Sequence, residues 1–521
     1  MELSINKLKR GREVYLGLFD YEVKRYFMKS ESYFSVPLPP YFDFTKVLAD
    51  TERAMGGRGL EELRTNVAME EVSGVNYPLP MNKDGGYARR DFQLIHPAVY
   101  IAIVDLLVRN WDYIDERLKL FSMQESVVGF GVAPGIRSGK SPQAASILKW
   151  WHGMEQTSLK MSLYYNYMVT TDIMECYNSI SVDLVARAIG GALGRKATRL
   201  ISGSQGGRTV GIPQGSLLVD FIAEMVLGYI DVVFHRALAL KRKEMKWTKG
   251  ACSVARFRDD YRIFAKDEVV AREVLKVLSD VLARFGLKLS AAKTKVIDDI
   301  VVGARKEDKR YWEVRRPGVA LDGDDIVKDA TIQKNLLAVY DLSLKYPNSG
   351  SVVKGIYEIY RNQIVKLEHR PGDAYPMLGI LANLVAKNPR TSNVCVACMS
   401  KILSFNPGIS RNSMADAVLE KAKMLPGREY LEVCLQRLTL KNKPSKPYGS
   451  RLCKVAYDQS AKIWNSEWIS IKMRDSEVVN HKIVREMKFV VPVEEIDVFS
   501  DYNIPDEVDG DDCGGAGSSD V

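Results

Sequence analysis

No run of about 18 apolar residues occurs in the 521-residue chain, which argues against a membrane-spanning helix. The opening residues Met1–Arg10 lack the apolar core of a secretory signal, so the chain is expected to stay in the cytoplasm. Cysteine is sparse: seven residues, scattered and odd in number, suit a reducing compartment and not a disulfide framework. Cys395-Val-Ala-Cys398 has no second pair at finger spacing, and its apolar helical surroundings favour a core role over zinc. The Gly-rich stretch Gly129–Lys140 ends in Arg137-Ser-Gly-Lys140 but lacks P-loop spacing, so it reads as a loop against a nucleic-acid backbone and not as a nucleotide motif. Basic residues are missing altogether from Val493 to Val521, where ten acids stand. That tail is expected to be disordered. Residues 1–492 therefore carry +19 against +9 for the whole chain, a balance that calls for a polyanionic partner, nucleic acid first.

What is present is ordinary for a folded protein: 46% hydrophobic and 27% charged residues, with length enough for two to four domains. Residues 1–75 read as mixed and mostly helical, interrupted by the extended, Pro-rich Ser35–Phe44. A turn at Asp84-Gly85-Gly86 is flanked by Lys83, Arg89 and Arg90, placing three cations where phosphates could lie. Helices follow over Pro97–Trp111, Val182–Leu193, Leu217–Lys243 and Val269–Phe285, with a strand over Leu163–Thr171.

The chemistry concentrates in carboxylates. Ser253–Ala265 alternates like two strands around Asp259 and Asp260, a hairpin with paired acids at its tip. Asp-Asp alone often serves a surface turn. A third acid, Asp172, closes the Tyr-, Val- and Thr-rich strand upstream, and three carboxylates at strand ends can hold two divalent cations. Asp183 is better explained by the helix dipole. Gly211-Ile-Pro-Gln-Gly-Ser216 permits close backbone approach to a ligand, with the Gln214 amide beside it.

In this order, Asp172 followed by Tyr177, Ile212-Pro-Gln-Gly-Ser216, Phe257-Arg-Asp-Asp260 and Gly286-Leu followed by Lys293-Thr294 resemble a reverse transcriptase. The resemblance implies an α+β right-hand polymerase, with fingers and an antiparallel palm sheet over 76–300. It implies an RNA-directed DNA polymerase using deoxynucleoside triphosphates and two Mg²⁺ ions, with Mn²⁺ as a substitute. Asp172, Asp259 and Asp260 would be catalytic metal ligands, joined by the Ile173 carbonyl, and Lys293 would protonate pyrophosphate. Tyr177 would exclude a ribose 2′-hydroxyl, Gln214 would line the nucleotide site, and Lys83 with Arg89 or Arg90 would clamp phosphates. The chain departs from the family at Phe257-Arg258, where Tyr and a small residue are usual. An arginine there is expected to touch primer or phosphate.

Tyr33–Phe42 and Gln93–Tyr100 further resemble bacterial unknown-group and abortive-infection reverse transcriptases, which act in defence against phage. That likeness implies a noncoding RNA as template or cofactor, nucleic-acid primer and product, no membrane, and compatibility with a homo-oligomer. Beyond the palm the chain divides into a thumb-like helical region at 301–375, a helical and repeat-like region at 376–492, and the tail at 493–521. The repeat reading rests on breaks at Lys345–Gly350 and Lys387–Ser392, a helical-repeat interval apart, with a further break at Asn406–Gly408. A last helical segment is expected from Leu452. The same motifs also suit a retroelement or diversity-generating reverse transcriptase or, with an inactive palm, an RNA-binding scaffold.

Overall fold

The computed structural model describes residues 18–122, 127–130, 153–315, 329–406 and 409–496. The Arg137–Lys140 loop, the segment before residue 18 and the acidic residues from 497 onward lie outside them. Among the described residues, seven strands form two sheets. β1 (Tyr77–Asn82) and β2 (Arg89–Leu94) make an antiparallel hairpin across the Asp84-Gly85-Gly86 turn. β3 (Val127–Phe130), β4 (Tyr167–Asp172), β5 (Cys252–Phe257), β6 (Asp260–Ala265) and β7 (Lys295–Ile297) assemble in the order β3-β5-β6-β4-β7. Helix and sheet are thus mixed in one core. The β3–β5 pair is parallel, a departure from an all-antiparallel sheet. More than a hundred residues separate β3 from β5, long enough for the crossover that parallel pairing requires.

Both faces of β5 and β6 are covered, so these strands are buried nearly throughout and do not alternate cleanly. On one face lies the long helix Leu217–Glu244, buried almost all round its first half, together with Glu268–Ala283. On the other, Met154, Met161 and Ile300 close a small separate cluster over Ala255, Phe257 and Phe264. Ser216 caps the long helix, its Oγ accepting from the Val219 N–H at 3.2 Å. The helix expected over Val182–Leu193 stops at Ile189, where Gly190 adopts φ +92° and any Cβ would collide with the Tyr113 hydroxyl. A second helix, Gly191–Gly203, restarts immediately.

The two stretches Tyr33–Phe42 and Gln93–Tyr100 meet in this core. Tyr33 donates to the Ile95 carbonyl and packs edge-on against Tyr100 at 4.9 Å, while Tyr100 donates to Phe27. His96 is fully buried and caps helix Pro97–Val108, its Nδ1 accepting from the Ala98 N–H and its Nε2 facing Ser466. Burial pushes its pKa down to about 3, so it stays neutral.

Downstream, helices Asp329–Lys345, Gly350–Ile359, Ala374–Lys387, Ser392–Ser404, Arg411–Ala422 and Glu429–Thr439 stack on one another, breaking where Lys345–Gly350 and Lys387–Ser392 predict. Cys395 and Cys398 lie buried in the fourth of these. From Leu452 the outcome differs from the helical expectation. After Arg451–Lys454 the chain runs largely without helix to residue 480 and threads back over the N-terminal part. Its hydrogen bonds go to distant backbone: the Ser470 N–H to Leu63, the Asp43 N–H to Val478 and the Asn480 N–H to Tyr41. The Trp464 indole donates to Leu94. Backbone groups satisfied this way need no helix.

Candidate active site

Three chain reversals converge at one end of the five-stranded sheet. β4 pairs with β6 in a register that sets Asp172 directly opposite Asp260. Past the strand end, the Ile173 N–H donates to the Asp259 carbonyl at 3.1 Å, and the Met174 N–H to the Lys288 carbonyl at 2.8 Å. The Ser290 N–H donates to the Asp172 carbonyl at 2.8 Å, so the Gly286–Lys293 segment is sewn to the same point. Ile173 is buried and bridged to Leu289, adjoining the acids. The hairpin turn consists of Arg258 and Asp259; Asp260 already opens β6, so the paired acids straddle the turn instead of both forming its tip.

The electrostatics are those of crowded carboxylates. Asp172 is 5% exposed; one carboxylate oxygen accepts from the Lys293 ammonium, and the other is buried with no hydrogen-bond partner. Burial pushes Asp259 above the usual carboxylate range, and burial together with Asp259 lifts Asp260 to about 6. Burial would lower Lys293, but its bond to Asp172 prevails and holds the ammonium protonated. Among the described residues, no three His, Cys, Asp or Glu side chains stand as a ready-made metal group. The donor chemistry nevertheless fits a hard divalent cation: an orphaned Asp172 carboxylate oxygen stands beside two further acids that burial raises.

Tyr177 sits on a short helix, Cys176–Ser179, tied down by the Ile212 N–H donating to its carbonyl at 2.9 Å. Its phenol donates to Asp220 Oδ1 at 2.7 Å. Gln214 is anchored through its main chain, its carbonyl accepting from the Gln93 N–H at 2.8 Å. The following Gly215, at φ +136°, packs so tightly on Phe34 that a Cβ would come within 2.9 Å of the ring.

The three hairpin cations separate. Strand alternation sends neighbouring side chains to opposite faces. Arg90 feels the Asp259 charge, and burial with nearby Arg390 pushes its pKa down. Arg89 pairs with Asp91 at 2.7 Å and lines a cavity of about 390 Å³ with Gln205 and Arg208. Burial and Arg90 lower Lys83, which also feels Glu175 and Lys293, so it shares the acids' neighbourhood with Arg90. The hairpin itself is held from the C-terminal helices: the Asn82 N–H donates to Gly427 at 2.9 Å, and a Cβ on Gly85 would meet Lys387 Cα at 2.8 Å.

Sequence reasoning passed over two groups. Lys306 feels Asp260, and Arg390, on the turn Pro389–Thr391, brings further positive charge beside Arg90 and Lys306. Only the fold shows this, because more than a hundred residues separate Arg390 from Asp260. The second group was legible in part. Asp220, Glu224 and Asp231 share one face of an otherwise apolar helix, an oddity of spacing that calls for cationic partners. Those partners are Arg258 and Arg256. Arg256 is fully buried, with Nη2 2.8 Å from both Glu224 and Asp231, and its Nη1 donates to the Arg258 carbonyl at 2.8 Å. The Arg258 guanidinium, expected to reach toward primer or phosphate, meets Asp220 Oδ2 at 2.8 Å in an ion pair.

Residues 114–319 match the family described as reverse transcriptase (RNA-dependent DNA polymerase). No curated protein matches the chain. Among solved structures, apo telomerase from Candida tropicalis aligns at 10% identity and TM-score 0.28, covering 83% of this chain and 74% of that one. Telomerase from Candida albicans with a fragment of telomeric RNA aligns at 11% identity and TM-score 0.28, covering 71% and 68%. Likeness at that level carries no functional argument.

Proposed function

We propose that the chain, of which residues 114–319 match the reverse transcriptase family, is an RNA-directed DNA polymerase with residues 76–300 as its fingers and palm, using deoxynucleoside triphosphates at the Asp172, Asp259 and Asp260 cluster. The observation that supports this most is the pairing of Asp172 opposite Asp260, with Asp259 beside them and Lys293 on Asp172. Asp172, Asp259 and Asp260, with the Ile173 carbonyl, would hold Mg²⁺. When bound there, such ions would make the primer 3′-oxygen a better nucleophile and neutralise the triphosphate.

The chain's own groups do the rest. Lys83 and Arg90, near the acids, attract the triphosphate and orient its α-phosphorus toward the primer. As the new P–O bond forms, the bond to the β-phosphate breaks and pyrophosphate leaves. Lys293, held protonated, can give that leaving group a proton. In this reading the Tyr177 ring would crowd a ribose 2′-hydroxyl, and Gln214 would line the nucleotide site.

The biological setting we propose is bacterial antiviral defence in the cytoplasm, with a noncoding RNA as template or cofactor. The Tyr33–Phe42 and Gln93–Tyr100 stretches, joined in the core, and the stacked C-terminal helices support it. Purified protein given primer, template, labelled deoxynucleotides and Mg²⁺ should incorporate label, and Asp259→Ala with Asp260→Ala should abolish it. Incorporation surviving that pair of changes refutes the site. Cells carrying the wild-type chain should resist phage and cells carrying the double variant should not; equal protection refutes the link between synthesis and defence.

A further inference from the structure

Arg258 occupies an expensive position. It is a non-glycine residue at φ +52° in a two-residue hairpin turn, a conformation that persists where its surroundings impose it. Two contacts impose it here: the Arg256 guanidinium on its carbonyl, and Asp220 on its own guanidinium. Asp220 lies in the first turn of the long helix, directly after the Ile212–Ser216 loop, and its two oxygens are divided. Oδ2 accepts from Arg258 and Oδ1 accepts from the Tyr177 phenol. Burial would lower Arg258, but Asp220 more than offsets it; burial, then Asp220, pushes the Tyr177 phenol up.

We propose that Asp220, clamped by Arg258, is the positioning residue that sets Tyr177 for selection of deoxyribose over ribose, a reading that rests on the polymerase assignment above. The geometry supplies three reasons. The Tyr177 main chain is tied to Ile212 and its hydroxyl to Asp220, so the ring is pinned at both ends. Its only proton is committed to a carboxylate and is not available to welcome a ribose hydroxyl. Arg258 prevents the carboxylate from swinging away, and its neighbour in the turn is Asp259. A nucleotide that displaces the ring must therefore disturb the turn that carries a catalytic acid, so misfit at the sugar is felt at the chemistry.

The test compares kcat/KM for deoxynucleotides and ribonucleotides on one primer–template, with melting curves run on every variant. Tyr177→Ala, which removes the ring, sets the scale of lost discrimination. Asp220→Asn and Tyr177→Phe should each lower the deoxy-to-ribo preference on the order of ten-fold, mainly through a lower KM for the ribonucleotide. Arg258→Met should do so by less, and Arg258→Lys should restore part of it. Asp220→Asn combined with Tyr177→Phe should cost no more than either alone, because both break one link. An equal loss for both nucleotides, or an unchanged preference in Tyr177→Phe, overturns the proposal; the second holds even if Asp220→Asn misfolds, since Tyr177→Phe leaves the Asp220–Arg258 pair in place. Equal use of both sugars by the wild type also overturns it. Wild-type protein that incorporates neither sugar removes the polymerase reading itself, and the proposal with it.

Discussion

Asp260 is the residue whose titration can be followed. Burial and the neighbouring Asp259 push its pKa up to about 6, from the 3.8 usual for an aspartate. An acid raised on folding contributes stability that is present below the unfolded value and lost as pH rises through the folded one. Without divalent cations, the protein should therefore lose on the order of 2–3 kcal/mol from this group between about pH 4 and pH 7. Asp260→Asn should flatten that slope and raise the melting temperature near neutral pH. Mg²⁺ should stabilise the wild type there and leave the variant less affected. A melting curve whose pH slope is the same in both proteins contradicts the crowding described around the acids. The positions of Asp172, Asp259 and Asp260 were legible because each closes or opens a short alternating run. That one Asp172 oxygen is buried without a partner was not, because its surroundings come from β6 and from the Gly286–Lys293 segment.

At the scale of elements, the contact between the long helix and the hairpin depends on a buried charge network. Arg256 faces Glu224 and Asp231 with all three side chains at 9% exposure or less. Removing one member leaves the others desolvated, whereas replacing all three with apolar groups removes the demand. Arg256→Met should thus cost about 3–5 kcal/mol by chemical denaturation. Arg256→Met with Glu224→Leu and Asp231→Leu should recover most of that loss. A triple variant no more stable than the single one would show that the network's packing matters more than its charge. Periodicity foresaw this helix almost to its ends, yet gave no hint that its acids face a strand.

For the whole molecule, charge is the quantity that reaches outward. Residues 1–492 carry +19, and the acids from 493 onward bring the chain to +9. Nucleic-acid affinity should fall steeply with salt, linearly on logarithmic axes, as phosphate contacts release counterions. Deleting residues 497–521, which contribute acids and no Lys or Arg, should tighten binding at low salt without changing the melting temperature. Filter binding across a salt series reads both effects; a deletion that leaves affinity unchanged means the tail charge does not reach the binding face. Deleting the segment after Lys454 should by contrast unfold the N-terminal part, since Leu63, Leu94 and Tyr41 all accept hydrogen bonds from it.

What the chain order by itself determined was local: the hairpin around Asp259, the strand ending at Asp172, the cap and apolar course of the helix after Ser216, and the breaks at Lys345–Gly350 and Lys387–Ser392. Each is written in neighbouring residues, through alternation, turn chemistry or capping. Tertiary structure alone decided the rest: β3 joining the sheet in parallel, the chain after Lys454 running as a strap, Arg390 drawing near Arg90, and Arg258 turning to Asp220. Those outcomes depend on which distant surface lies opposite, and a buried charge takes the nearest counter-charge the fold supplies. A residue's periodicity cannot say which that is.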